Sequence, residues 1–224
     1  SIYDFNVLNQ VGLGTLIRVL AAITILLGSA MALNEKNLKK LLAYSSISQM
    51  GYILLGIGLL TERAVFGAVF HLFSHAFMKG TLFLCAGAIK HKTGKTDIDN
   101  MEGIGFEMPF TMMFFTIAAL SMIGIPPMSG FLSKWYLGLG SLDAGMPVYL
   151  IILLVSSLMN AMYFLPIIIS AFFKKSDTQK PLLKEVPAFM LFSMGFLTVG
   201  TILGGSFKHH LFNLAQATVK RLFI

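Results

Sequence analysis

Charged residues are scarce in this 224-residue sequence, and their scarcity excludes an ordinary soluble domain. Asp, Glu, Lys and Arg make up 12% of the chain against 56% for hydrophobic residues, whereas a soluble domain carries about a quarter charged residues. A single cysteine, Cys85, excludes an internal disulfide. The mean hydropathy of +0.78 predicts instead a protein that crosses a membrane several times.

The apolar segments predict an all-α membrane protein with six transmembrane helices. The predicted spans cover residues 11–33, 40–60, 64–89, 109–142, 148–173 and 187–205. Each is near or above the roughly 20 residues that a helix needs to cross the hydrocarbon. We expect residues 1–206 to form the transmembrane domain and residues 207–224 to form an amphipathic helix at the membrane surface. Such a chain is a multi-pass protein of the cell membrane.

Two adjacent prolines, Pro126 and Pro127, interrupt the span predicted at 109–142. A helix of that length would extend about 51 Å, which exceeds one straight crossing. Each proline removes an amide donor and clashes with the preceding turn, so we expect a discontinuous helix here. Transporters use such breaks to place backbone dipoles and charges at mid-membrane, whereas a simple proline kink or a tight hairpin is the alternative.

The distribution of basic residues predicts the orientation of the chain. The loops after the first, third and fifth spans hold ten lysines: Lys36, Lys39, Lys40, Lys90, Lys92, Lys95, Lys174, Lys175, Lys180 and Lys184. The opposite side holds four basic residues: Arg63, Lys208, Lys220 and Arg221. Because lysine-rich loops stay in the cytoplasm, we expect both termini on the extracytoplasmic side.

The third predicted span carries His71, His75 and Lys79 at intervals of four residues. This spacing predicts one helix face, with a step of about 6 Å between neighbours, in the interior of the bilayer. Ionisable residues there are costly and commonly line a water path or a proton relay, since imidazole can pass a proton between its two nitrogens. The alternative is two histidines bonded to backbone carbonyls and a lysine that extends to the surface.

Carboxylates are absent from the predicted spans, because all ten lie in loops or at span ends. Lys79 therefore lacks an intramembrane acid within this chain, and so does Lys134, which lies on the second part of the discontinuous helix. A buried cation without a partner either releases its proton part of the time or meets an acid from another chain. Both outcomes suit proton transfer, so Lys134 is predicted to be a functional lysine.

Polar residues of the second predicted span are candidates for a supporting role. Tyr44 and Ser48 are four residues apart, Gln49 lies beside them, and Lys39 lies at the cytoplasmic edge of the span. These side chains can order water next to the histidine face, although serine in a span more often serves helix packing.

Three ordered motifs resemble a single family. Residues 37–52, 71–80 and 124–134 are similar to signatures of the antiporter-like subunits of respiratory complex I, Mrp-type cation/proton antiporters and membrane-bound hydrogenases. The resemblance extends over nearly the whole chain. It implies that His71, His75 and Lys79 lie on the central hydrophilic axis of such a subunit, and that Lys134 occupies the charged position of its discontinuous helix.

The resemblance also implies that the chain corresponds to the C-terminal half of such a subunit, namely the second of two inverted repeats and a closing helix. The first repeat, with its Glu–Lys pair and its own discontinuous helix, has no counterpart in this sequence. We therefore expect other membrane subunits as partners, including one that supplies the first repeat, unless the sequence is a fragment of a split or cleaved subunit.

These observations predict a proton-translocating, antiporter-like subunit of a redox-driven or Mrp-type membrane complex. The sequence shows no catalytic nucleophile and no cofactor motif, and His209 and His210 are adjacent rather than on one helix face. We expect no cofactor, no metal site and no catalytic centre in this chain. The alternatives are sodium/proton exchange and a structural subunit that conducts nothing, while basic residues spread over separate loops exclude nucleic-acid binding.

Overall fold

The structure, a computed structural model, describes residues 12–174, 183 and 185–206. Within these ranges the chain forms eight α-helices and a 3₁₀ turn at Ile98–Asn100, and no β-strand. The helices are α1 (Leu13–Asn34), α2 (Leu38–Gly58), α3 (Glu62–Thr93), α4 (Ile104–Glu107), α5 (Pro109–Ile123), α6 (Ser129–Asp143), α7 (Pro147–Phe173) and α8 (Ala188–Ser206). The predicted all-α class is confirmed.

The lengths and compositions of the helices suit a membrane. Helices α1, α2, α3 and α7 are long and apolar enough to cross a bilayer, whereas α5 and α8 are apolar but shorter. Large apolar side chains cover the outside of the bundle, such as Leu158 and Phe192, which are 64% and 75% exposed. These features support the predicted multi-pass membrane protein. The predicted amphipathic helix at 207–224, with His209 and His210, lies outside the described residues.

Local sequence signals set the ends of the central helices. Asn37 precedes α2, and its side-chain oxygen accepts hydrogen bonds from the amides of Lys39 at 3.1 Å and Lys40 at 3.3 Å, as an N-cap residue does. Gly94 follows α3 and Gly124 follows α5 with φ of 72° and 98°. Glycine adopts these left-handed values without strain and ends both helices.

The apolar region at 109–142 forms two helices. Helix α5 ends at Ile123 and α6 begins at Ser129, and the segment between them contains Pro126 and Pro127, which are joined by a cis peptide bond. Because proline lacks an amide donor and fixes φ, neither helix continues through this segment. The last carbonyl groups of α5 are thereby left without helical donors.

Helix α3 lies at the centre of the bundle. It packs against α2, α5, α6 and α8, while α7 packs against α1, α5 and α6. At Gly56, helix α2 comes close to both α3 and α6. A Cβ added there would lie 2.7 Å from the carbonyl oxygen of Ala64 in α3 and 2.6 Å from Cδ2 of Leu137 in α6. The absence of a side chain at Gly56 lets these three helices meet.

Two large apolar cores form at different heights along the helices. The first core includes Leu38, Leu42, Met78, Leu82, Met112, Phe115, Phe164 and Ile167, and the second includes Ala21, Ile25, Tyr52, Leu55, Ala64, Ala68, Leu137 and Leu153. Along α2 the first core ends at Leu42 and the second begins at Tyr52; along α3 the second ends at Ala68 and the first begins at Met78. Between the two cores lie buried polar residues of both helices: Ser45, Ser48 and Gln49 of α2, and His71, Ser74 and His75 of α3.

Candidate functional site

Polar side chains that lie between the two apolar cores and at their edges form what we call the central polar layer. It consists of Ser45, Gln49 and Tyr52 of α2, His71, His75 and Lys79 of α3, Ser133 and Lys134 of α6, and Ser157, Asn160 and Tyr163 of α7. Four helices therefore contribute to the layer. The four residues that the sequence predicts for proton transfer, His71, His75, Lys79 and Lys134, all belong to it.

Lys79 is buried in the layer, with 5% of its surface exposed. Its ammonium group donates hydrogen bonds to the carbonyl oxygen of Leu42 at 2.8 Å and to the hydroxyl oxygen of Ser45. Both acceptors are neutral and lie on α2. The lysine is thus held without a negative charge that would favour its protonated form.

Lys134 bonds to the end of α5, where the helix break leaves carbonyl groups free. Its ammonium group donates to the carbonyl oxygens of Met122 at 2.8 Å and Ile123 at 3.1 Å, and to the hydroxyl of Ser157 at 3.0 Å. It also lies 5.2 Å from the centre of the Tyr52 ring, within the range of a cation–π contact. The side chain of Lys134 lines a cavity of about 410 Å³ between α6 and α7.

The two histidines continue the layer along α3. Their ring centres are 6.1 Å apart, and the His71 ring stacks on Tyr52 at 5.3 Å. Nδ1 of His71 lies 2.8 Å from the hydroxyl oxygen of Ser133, the neighbour of Lys134 in sequence. Nε2 of His71 and Nε2 of His75 are buried and have no hydrogen-bond partner in the part of the chain that the structure describes.

Gln49 lies at the level of His75. Helices α2 and α3 run antiparallel, with Ser45 beside Lys79 and Tyr52 beside His71, which places Gln49 between these two pairs. Its side chain is fully buried, and neither its amide nitrogen nor its oxygen has a partner among the described residues. In native proteins, such buried polar atoms are usually satisfied by ordered water.

Carboxylates take no part in this layer. Three ion pairs of the described residues, Lys36–Asp99, Arg63–Asp143 and Lys174–Glu102, lie at the surface. Neither Lys79 nor Lys134 forms an ion pair with a carboxylate of the described residues. The same ranges contain no group of three or more His, Cys, Asp or Glu residues that could hold a metal ion.

Three of the predicted supporting residues lie apart from the lysines. Lys39 is exposed at the start of α2, and Tyr44 packs partly buried against the first core. The hydroxyl of Ser48 donates to the carbonyl oxygen of Ile25 at 2.9 Å and lies 2.8 Å from the hydroxyl of Ser29. Ser48 therefore joins α2 to α1, and of the four supporting residues only Gln49 belongs to the central polar layer.

Several residues of the layer were not predicted from the sequence. Ser45 contacts Lys79, Ser133 contacts His71, and Ser157 contacts Lys134, while Asn160 and Tyr163 contact each other. The sequence of α7 does single out Asn160, because it is the one amide side chain in a helix of otherwise apolar and hydroxyl-bearing residues. Tyr163 lies one helical turn further on.

The fold and the central polar layer define a multi-pass helical membrane protein with ionisable residues, His71, His75, Lys79 and Lys134, inside the bundle. This arrangement is typical of membrane proteins that move protons or ions. Residues 5–160 match the family described as NADH:quinone oxidoreductase/Mrp antiporter, TM. The chain belongs to this family, which confirms the resemblance predicted from the three motifs.

Similar proteins come from several complexes. NADH-quinone oxidoreductase subunit N of Desulforudis audaxviator (strain MP104C) is 42% identical over 204 residues, which cover 86% of this chain and 41% of that protein. A Na(+)/H(+) antiporter component of Alkalihalophilus pseudofirmus (strain ATCC BAA-2126 / JCM 17055 / OF4) is 42% identical over 123 residues. These residues cover 55% of this chain and 25% of that protein. A chain of the Mrp complex from Dietzia sp. DQ12-45-1b shares the fold, with a TM-score of 0.87 at 24% identity over 94% of this chain and 47% of that one. The chain spans about half the length of these proteins or less.

Proposed function

We propose that this chain is part of a proton-translocating, antiporter-like subunit of a redox-driven or Mrp-type membrane complex. Protons move along the central polar layer through His71, His75, Lys79 and Lys134. The chain itself carries no catalytic centre and transfers protons while its partners supply the driving reaction.

The observation that carries the proposal is that the buried Lys79 and the partly buried Lys134 are held by neutral oxygen atoms alone. Burial disfavours the charged form of lysine, and a carboxylate partner would restore it. With only carbonyl and hydroxyl acceptors around them, Lys79 and Lys134 can release and take up protons. Lys79 is four residues from His75, and His71 contacts Ser133 beside Lys134, so the histidines lie between the two lysines.

The proposed arrangement in the membrane has six crossings. Helices α1, α2, α3, α7 and α8 each form one crossing, and α5 and α6 together form one discontinuous crossing around Pro126 and Pro127. Lys134 then lies at mid-membrane, where it contacts the free carbonyl groups of α5. The lysine-rich loops face the cytoplasm and both termini face the other side.

Other membrane subunits complete the proposed unit. A match that covers 41% of a relative supports a first repeat supplied by another part of the subunit or by a second polypeptide. An oxidoreductase subunit and an antiporter component are both among the relatives, so sodium/proton exchange is the second candidate function. A structural subunit that conducts nothing is disfavoured, because a scaffold gains nothing from placing two lysines inside the bundle without acids.

The test uses sealed membrane vesicles that contain the assembled complex, energised by its electron donor or by an imposed sodium gradient. The measurement is the rate of pH-gradient formation divided by the amount of assembled complex. His75→Ala and Lys134→Ala should abolish the gradient while assembly is kept, because each removes a base of the relay. Lys39→Ala removes an exposed lysine at the start of α2 and serves as the control that keeps most of the rate.

Two results would contradict the proposal or redirect it. If His75→Ala and Lys134→Ala form the gradient at the parental rate, the route through the central polar layer is wrong. Vesicles energised by electron transfer in sodium-free buffer separate the two candidate functions. A gradient that persists there supports proton translocation, and one that requires added sodium supports sodium/proton exchange.

A further inference from the structure

Two residues of α7, Asn160 and Tyr163, lie between the two lysines and have no part in the route proposed above. Both side chains are buried and they are one helical turn apart. Asn160 donates from Nδ2 to the carbonyl oxygen of Met122 at 3.2 Å, the same oxygen that accepts from Lys134 at 2.8 Å. The hydroxyl of Tyr163 donates to Oδ1 of Asn160.

The same hydroxyl extends the connection to the other lysine. The side chain of Tyr163 also lies near that of Ser45, and Ser45 accepts a hydrogen bond from Lys79. Hydrogen bonds therefore run from Tyr163 through Asn160 to the carbonyl group that Lys134 uses, and Tyr163 lies near the serine that Lys79 uses. These contacts join α2, α3, α5, α6 and α7.

We infer that Asn160 and Tyr163 are positioning residues that couple Lys79 to Lys134, an inference that rests on the proposed function. The pair does not carry the proton, because a backbone carbonyl has no proton to pass on and a side-chain amide keeps its own at working pH. It fixes the distance and the orientation of the two ammonium groups. Proton transfer itself uses the other side of the layer, where His71 contacts Ser133.

The connection lets one lysine respond to the charge of the other. When Lys134 releases its proton, its amine keeps two N–H donors for the three oxygen atoms that it contacts, while the amide of Asn160 still donates to the Met122 carbonyl. Hydrogen bonds in a chain polarise one another. The titratable groups that face the pair are Lys79, Lys134, Tyr52 and, behind Tyr52, His71. All four belong to the central polar layer.

The first variant is Tyr163→Phe, which removes the hydroxyl and keeps the ring. In vesicles with the assembled complex, the rate of pH-gradient formation per complex should fall about three- to tenfold, the effect of one hydrogen bond lost from a buried network. The matched control is Tyr149→Phe on the same helix, where the ring packs against the second core. This control should keep the parental rate and the parental dependence of the rate on pH.

The second pair of variants is Asn160→Leu and Asn160→Asp. The leucine should lower the rate about as much as Tyr163→Phe does, because both variants break the connection. The aspartate places a carboxylate between the two lysines and favours their charged forms, so the pH at which the rate is half-maximal should move upward. A purely structural role would lower the amount of assembled complex and leave the rate per complex and its pH profile unchanged.

The inference is overturned if Tyr163→Phe and Asn160→Leu match Tyr149→Phe in rate per complex and if Asn160→Asp leaves the pH profile in place. The proposed function stands in that case, because the parental complex still forms its gradient. A parental complex that forms no gradient at all overturns the proposed function, and the inference with it.

Discussion

The ammonium nitrogen of Lys134 lies 2.8 Å from the carbonyl oxygen of Met122, in the last turn of the helix that ends before Pro126 and Pro127. A helix normally leaves such terminal carbonyl groups to water or to a capping residue. Here the group that bonds them is a cation on the following helix. The end of α5 and the lysine are thus parts of one site.

The hydrogen bond between Lys134 and Met122 leads us to predict that this lysine serves transport and does not stabilise the fold. Lys134→Met keeps the unbranched stem and removes an ammonium group that is costly to bury, while Asn160 still donates to Met122. The free energy of unfolding of the assembled complex in detergent should stay unchanged or rise by up to about 2 kcal/mol, although transport is lost. A decrease of more than about 1 kcal/mol, which exceeds ordinary surface effects, would show that Lys134 is a structural clamp.

Helix packing around Gly56 gives a prediction about stability alone. Gly56→Ala would place its methyl group 2.6 Å from Cδ2 of Leu137 and 2.7 Å from Cβ of Ala68, so the three helices must separate, at a cost of about 1–3 kcal/mol. Gly87→Ala is the matched control, because a Cβ there has no atom within 4 Å and alanine favours a helix by up to about 1 kcal/mol. Thermal unfolding in detergent checks both, and equal midpoints for the two variants would contradict the packing described.

The proposed orientation predicts which loops are accessible from each side. In a background with Cys85→Ala, we expect Asn100→Cys to react with a membrane-impermeant thiol reagent only from the cytoplasmic side. Glu62→Cys, at the other end of α3, should react only from outside. Both positions are exposed, so each serves as the control for the other. The reverse pattern of labelling would mean that both termini are cytoplasmic.

Much of the fold was predictable from the sequence, because apolar runs of helical length and glycine or proline at their ends act locally. The all-α class follows from those runs. Helix α5 ends at Ile123, shortly before Pro126 and Pro127, whose missing amide donors keep a helix from continuing. By contrast, the length of α5 could not be predicted from the apolar segment. The helix has 15 residues, which is shorter than a helix that crosses the membrane by itself.

The candidate site was predictable where helical spacing, or a lysine within an apolar segment such as Lys134, marks a residue. His71, His75 and Lys79 are four residues apart, and the helical period places them together. The contact of Ser45 with Lys79 and that of Asn160 with Met122 join different helices, 34 and 38 residues apart in sequence. Spacing along one helix carries no information about the register between two helices, and Ser48, which has the favourable spacing, turns toward α1 instead.

The central claim is that Lys79 and Lys134 release and take up protons, and the most direct measurement replaces each by arginine. Lys79→Arg and Lys134→Arg keep the positive charge and most of the length, but a guanidinium does not release its proton at working pH. The account predicts that both variants assemble and that the rate of pH-gradient formation per assembled complex is largely lost. If both variants form the gradient at the parental rate, the lysines serve only as fixed charges and the account is wrong.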